Sequence, residues 1–188
     1  MVSCGGKLLL RLRMIIEKEI ISQIYRPYFF ITSIFDVDTK YFKKRIEEGV
    51  RVSNLNYTTN VHGQHTDWKF FNEDKKFGNV VAQILNYLEH ANLELEPCYF
   101  GEAWGLIEQF GEFTKTHHHG YAYFSGVLYL HDHPQKLYFP EIKQEVIPKK
   151  GRAVIFTSFL KHYTKRNLGD LGKYALSFNF YSTPRDNK

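Results

Sequence analysis

Three consecutive histidines, His117, His118 and His119, stand just ahead of a run of aromatic and β-branched residues from Ala122 to His131. In an extended chain alternate side chains point the same way, so His117 and His119 can share one face while His118 turns to the other. Two imidazoles on one face are two metal ligands. A third from a distant strand completes a facial triad, which holds a transition metal and leaves positions open for a bidentate cosubstrate and oxygen. Among the nine histidines, His162 is the best third ligand, because it follows the apolar run Ala153 to Phe156 and ends a loop returning to the same barrel. The competing reading of the triple-histidine run is a solvated loop that takes metals only adventitiously.

The remaining histidines are weighed the same way. His65-Thr66-Asp67 has the His-x-Asp spelling that supplies two ligands in many iron oxygenases, yet it precedes a long helix with no strand run behind it. His131 and His133 flank Asp132 in a segment ending at Pro134, which reads as an exposed turn. His62 and His90 read as ordinary polar positions. Cys98 reads as a small buried hydrophobe rather than a nucleophile.

A metal site of this kind needs strands to hold it, and the second half of the chain has them. From Pro97 onward, short aromatic and β-branched runs alternate with turn chemistry. Strands are expected near Cys98 to Glu108, Ala122 to His131, Leu137 to Phe139, Gln144 to Pro148, Ala153 to Phe156, Lys161 to Lys165 and Tyr174 to Ser182. The first half is more helical. Tyr28 to Phe35 reads as a strand, then a helix capped by Asp38 or Thr39 carries Phe42 and Ile46 on one face and stops at Gly49. Phe77, Val80, Val81, Ile84, Leu85 and Leu88 recur at the spacing of one helical face, the clearest helix in the chain. The fold class is therefore mainly β (α+β), a jelly-roll barrel braced by N-terminal helices, with helical support over about 36–95 and a β core over about 97–182.

Length and composition set the outer bounds. A chain of 188 residues, 43% hydrophobic and 16% aromatic, forms one substantial core. Residues 1–13 read as a disordered or non-native leader, with Met14 a candidate natural start and 14–188 a single domain. The formal charge of +5 owes three of its cations to Lys7, Arg11 and Arg13 in that leader, and the other basic side chains barely outnumber the 20 acidic ones. That balance argues against a nucleic-acid surface. No apolar run is long enough for a membrane span or a signal-peptide core. With only two cysteines, Cys4 and Cys98, and no CxxC pairing, the expectation is a soluble protein of the reducing cytoplasm.

The order of motifs resembles a known family, the 2-oxoglutarate- and Fe(II)-dependent oxygenases common in marine bacteria and their phages, of the prolyl-4-hydroxylase-like kind. The resemblance runs from about Thr66-Asp67-Trp68 to Tyr181. Its centre is Trp104, Gly111, the His117-x-His119 pair and Ser125-Gly126-Val127-Leu128-Tyr129. Val154-Ile155-Phe156-Thr157-Ser158 followed by His162 is similar to the family's Phe-Pro-Ser and distal histidine, and Ser177-Phe178-Asn179 resembles its closing strand. What the resemblance implies is a double-stranded β-helix, Fe(II) held by His117, His119 and His162, and a basic residue pairing with the far carboxylate of 2-oxoglutarate. Lys173 stands where the family usually has arginine, and it offers a point charge in place of a two-pronged fork. Two further departures are His119, where the more widespread pattern has a carboxylate, and Leu106, where the family often carries a polar residue.

The implied activity is hydroxylation of a C–H bond of a protein side chain or small metabolite by molecular oxygen, with release of succinate and CO2. Tyr129 shares parity with His117 and His119, so its hydroxyl is a candidate partner of the cosubstrate; a bulge at Gly126 would instead leave it a core or barrel-mouth tyrosine. Lys173 has the alternative of a solvated strand end, and Trp104 that of a core anchor. Two other functions compete. One is a cupin-like three-histidine metalloenzyme that does not use 2-oxoglutarate, and the other is a non-catalytic jelly-roll binding module.

Overall fold

The structure is a computed structural model and describes residues 15–22, 28–53, 59–91 and 95–183. Residues 1–13 lie outside the described residues. In chain order the elements are β1 (Ile15–Ser22), β2 (Tyr28–Ile34), α1 (Thr39–Val52), β3 (Val61–His62), β4 (Gln64–His65), α2 (Lys75–His90) and β5 (Cys98–Glu108). There follow β6 (Phe113–Thr114), β7 (Phe124–Tyr129), β8 (Leu137–Phe139), β9 (Gln144–Val146), β10 (Arg152–Thr157), β11 (Tyr163–Thr164) and β12 (Lys173–Ser182).

The strands form a seven-stranded antiparallel sheet in the order β1-β2-β10-β7-β12-β5-β4, a three-stranded sheet β11-β8-β9 facing it, and the pair β3-β6. The fold is a double-stranded β-helix. Alternation along each strand of the large sheet sorts its side chains into two cores. Phe29 and Ile31, Ala153 and Ile155, and Leu176 and Phe178 face outward and pack with the apolar stripes of α1 and α2. Phe30, Val154, Phe156 and Ala175 face inward, where they meet Leu137, Phe139 and Val146 of the small sheet. The period of two therefore assigns one half of every strand to bracing and the other half to lining the barrel.

Both helices start on an aspartate. The Asp38 carboxylate accepts from the Tyr41 amide at 3.1 Å, and that of Asp74 accepts from the Phe77 amide at 2.9 Å, satisfying backbone donors that have no partner within the helix. The Tyr41 hydroxyl donates to Asp74 at 2.6 Å and so ties one helix to the start of the other.

Three expectations change. Gly49 does not stop α1, which runs on to Val52; a glycine is needed there because a side chain would collide with Thr66 and Phe70. The strand expected from Ala122 to His131 is confined to Phe124–Tyr129, and His117 to His119 lie in the irregular stretch ahead of it. Strand β1, absent from the expected elements, pairs with β2 and forms one edge of the large sheet.

Gly105 shows how closely helix and sheet approach: a methyl group at this position of β5 would overlap the Ile46 side chain of α1. Gly105→Ala is expected to destabilise the fold by about 1–3 kcal/mol through overpacking, read as a lower urea midpoint at unchanged slope.

Candidate metal and cosubstrate site

Strand β12 runs between β5 and β7, and its pairings stack the inward side chains in levels. Lys173 lies opposite Glu108, Ala175 opposite Leu106 and Tyr129, Ser177 opposite Trp104 and Val127, and Asn179 opposite Glu102 and Ser125. Lys173 and Glu108 stand at one end of this ladder and Asn179, Glu102 and Ser125 at the other, with mainly apolar side chains and the hydroxyls of Ser177 and Tyr129 between. The pairing of β7 is continuous through Gly126, so Tyr129 keeps its inward parity.

His117 and His162 reach the barrel from separate loops, clipped by two backbone hydrogen bonds, His117 N–H to the His162 carbonyl at 3.1 Å and His162 N–H to the His117 carbonyl at 2.9 Å. The His119 amide donates to the Ser158 carbonyl at 2.9 Å. Alternation survives the loss of regular strand. His117 and His119 turn inward and His118 is exposed.

Each of the three imidazoles is locked by its Nδ1. His117 Nδ1 lies 2.9 Å from the Lys115 carbonyl, His162 Nδ1 3.0 Å from the Leu160 carbonyl, and His119 Nδ1 2.9 Å from Asn179 Oδ1. A carbonyl oxygen only accepts, so each Nδ1 carries the proton and each Nε2 presents a lone pair. The candidate ligand atoms all lie within 4.8 Å of one another, and the Nε2 atoms of His117 and His119 are 3.2 Å apart. Two nitrogens about 2.1 Å from one ion at near right angles stand about 3.0 Å apart, so this spacing fits a shared metal. Burial holds all three imidazoles below the usual histidine range, His119 down to about 3 and His162 well below its ordinary value, with neighbouring imidazoles adding to the effect. They are neutral at pH 7, the form that ligates.

Asn179 is itself held. Its Oδ1 also accepts from the Ser125 hydroxyl at 2.7 Å, and its Nδ2 donates to Glu102 Oε1 at 2.7 Å. A carboxylate therefore stands two hydrogen bonds behind His119, on a chain where the ligand itself is neutral.

Below the histidines the barrel holds a narrow slot walled by Leu106, Val127, Leu137, Phe156 and Ala175. At its floor Lys173 and Tyr129 are buried, 3% and 1% exposed. Lys173 forms an ion pair with Glu108, which is wholly buried behind it and accepts from the Thr114 hydroxyl at 2.6 Å and the Thr164 hydroxyl at 3.2 Å. Burial pulls the lysine's pKa down, and the neighbouring Glu108 carboxylate opposes that. The alternative of a solvated strand-end lysine is thus corrected. Burial also raises the Tyr129 hydroxyl far above its usual range, leaving it a neutral donor.

The rival histidines do not join this group. His65 is buried in β4 with its Nδ1 on the Thr66 carbonyl at 2.9 Å. His133, expected in an exposed turn, is 4% exposed: its Nε2 donates to the Leu171 carbonyl at 3.0 Å and its Nδ1 accepts from the Gln135 amide at 3.1 Å. Sequence reasoning passed over Glu102, Glu108 and the bridging role of Asn179. The signal for the first two was parity, since both share a strand face with Trp104.

No family model matches the chain, and no curated protein matches it in sequence. Solved structures do match. The viral collagen prolyl hydroxylase of Paramecium Bursaria Chlorella virus-1, solved as a 2-oxoglutarate complex, aligns with a TM-score of 0.61 at 14% identity over 77% of this chain and 90% of that one. A Pseudomonas putida prolyl-4-hydroxylase aligns at 0.56 and 19% identity over 78% and 86%. HygX from Streptomyces hygroscopicus, with nickel and 2-oxoglutarate bound, aligns at 0.58 and 12% identity over 82% and 83%. The fold is that of the 2-oxoglutarate oxygenases.

Neutral burial of His119 and His162 has a consequence for the metal-free protein. Their pKa values are lowered on folding, so between about pH 6.5 and the folded values the unfolded chain binds more protons. Stability therefore falls as pH falls through that window, by up to about 1.4 kcal/mol per pH unit for each such histidine. Urea unfolding of metal-free protein at pH 7 and pH 5 checks the sign.

Proposed function

We propose that the chain is a 2-oxoglutarate- and Fe(II)-dependent dioxygenase that hydroxylates a C–H bond of a protein side chain or small metabolite, releasing succinate and CO2. The observation that carries this reading is the polarity of the slot. Three converging lone pairs stand at one end, a buried ammonium and a phenol stand at the other, and apolar walls lie between. A short dicarboxylate with a methylene middle matches that order of groups.

The residues fit the two absent groups. Imidazole donors suit iron, and His117, His119 and His162 would hold it on one side. Three neutral ligands leave both charges of a divalent ion uncompensated, which favours a dianionic cosubstrate. Lys173 and Tyr129 would hold its far carboxylate, with Glu108 pairing the lysine until that carboxylate arrives. Bound iron supplies the activation of oxygen, coupled to decarboxylation of 2-oxoglutarate. Phe156, Leu137 and Val127 exclude water from the slot, and the Nδ1 locks keep the imidazoles from rotating away.

A second reading, a three-histidine metalloenzyme that does not use 2-oxoglutarate, draws on one observation: Glu108 already satisfies Lys173. Anaerobic addition of Fe(II) and then 2-oxoglutarate separates the two. The proposal expects a visible metal-to-ligand charge-transfer band that His162→Ala abolishes, whereas folded, iron-loaded protein without a band favours the second reading.

Removing Lys173 alone would strand Glu108 as a buried unpaired charge, so the informative variant changes both. Lys173→Met with Glu108→Gln is expected to fold and bind metal but to weaken 2-oxoglutarate binding by about 30-fold or more, measured by titrating the same band.

A further inference from the structure

A second, open pocket lies on the solvent side of the histidines, lined by Trp68, Glu102, Trp104, Tyr121, Asn179 and Tyr181 among others. Among the described residues no lysine or arginine lines it, although the chain carries a formal charge of +5. Its one carboxylate is held in place. Glu102 Oε1 accepts from Asn179 Nδ2 at 2.7 Å and from the Tyr181 hydroxyl at 3.0 Å, while Oε2 has no hydrogen bond among the described residues. Aromatic rings frame it. Trp68 meets Trp104 edge to face at 4.7 Å, Trp104 stacks along His119 at 6.0 Å, and Tyr121 is almost fully exposed at the rim.

A fixed carboxylate with a free oxygen, set among π faces and out of reach of any cationic side chain lining the pocket, is the chemistry that recognises a cation. We propose that this pocket is the substrate site and that it selects substrates bearing a protonated amine or guanidinium, bound by Glu102 Oε2 with the rings of Trp68 and Tyr121 beside it, Trp104 backing the pocket from the core. As a statement about substrate class it rests on the dioxygenase reading, which places the reacting carbon beside the histidines. Glu102 also orients Asn179 and, through it, His119. A glutamine at 102 keeps an oxygen acceptor for Asn179 and Tyr181 and removes only the charge.

The two tryptophans of the chain are Trp68 and Trp104, so intrinsic tryptophan fluorescence reports on this pocket. The full chain, treated with EDTA so that amines cannot ligate a metal, is titrated with benzylammonium, benzyl alcohol and benzoate. The expected result is an order of about tenfold tighter binding for the cation than for the alcohol, weaker still for the anion, and a preference that falls with added salt. Glu102→Gln is expected to bring the cation to within about twofold of the alcohol without changing the alcohol's affinity. Equal binding of cation and alcohol by wild-type protein overturns the proposal even if the variant fails to fold, and so does a preference that survives in folded Glu102→Gln. The charge-transfer band of wild-type protein keeps the two ideas apart. A band without cation preference sinks this inference alone, and cation preference without a band sinks the dioxygenase reading while leaving a cation-binding pocket.

Discussion

The pairing of β12 with β5 on one side and β7 on the other is the constraint on which the site depends. Because the side-chain period is two and the register is continuous with β5 from Lys173 to Asn179 and with β7 from Ala175 to Asn179, one strand sets the depth of the inward groups along it. Lys173 is placed at the floor with Glu108, the apolar slot above it, and Asn179 at the level of the histidines. A one-residue slip would send Lys173 and Asn179 into the helix-packed core and bring Leu176 and Phe178 into the slot. The outward half of the same strands prevents that, since Gly105, Gly126 and their neighbours fit α1 and the Phe178 ring too closely for any other register.

Electrostatics adds a second layer. The imidazoles are neutral because they are buried beside one another, and each is oriented by a bond to a carbonyl oxygen that costs no charge. The negative charge is set back from them. Glu102 acts through Asn179 at the mouth, and Glu108 sits behind Lys173 at the floor. With acids in both places, the inner slot is left as a region where the nearest groups are neutral nitrogens at one end and an ammonium at the other. That arrangement suits an anion reaching from metal to lysine.

Much of this was legible in the sequence, for reasons that differ by element. The apolar recurrence from Phe77 to Leu88 is local, and α2 follows it; the run Cys98 to Glu108 is long and bounded by turn residues, and β5 has those limits. The His117-x-His119 spacing was readable because alternation persists in any extended backbone, regular strand or not. The two-residue strands β3, β4 and β6 were not readable as such, since each exists only through a partner distant in the chain, whereas β11 falls inside the strand expected near Lys161 to Lys165. Glu102 and Glu108 carry no signal of their own in the sequence, because a single sequence does not show which face of β5 is enclosed. Lys173 was found through the resemblance, but its ion pair with Glu108 is a cross-strand relation that only the register reveals.

The central claim is that one metal and one dicarboxylate span the slot from the three histidines to Lys173. A crystal structure of the protein grown without oxygen, with Mn(II) standing in for iron and 2-oxoglutarate added, tests it most directly. The account predicts an anomalous peak about 2.2 Å from Nε2 of His117, His119 and His162, with the far carboxylate of 2-oxoglutarate against Lys173 and Tyr129. A metal held by fewer than all three histidines, or a dicarboxylate bound away from Lys173, would contradict it.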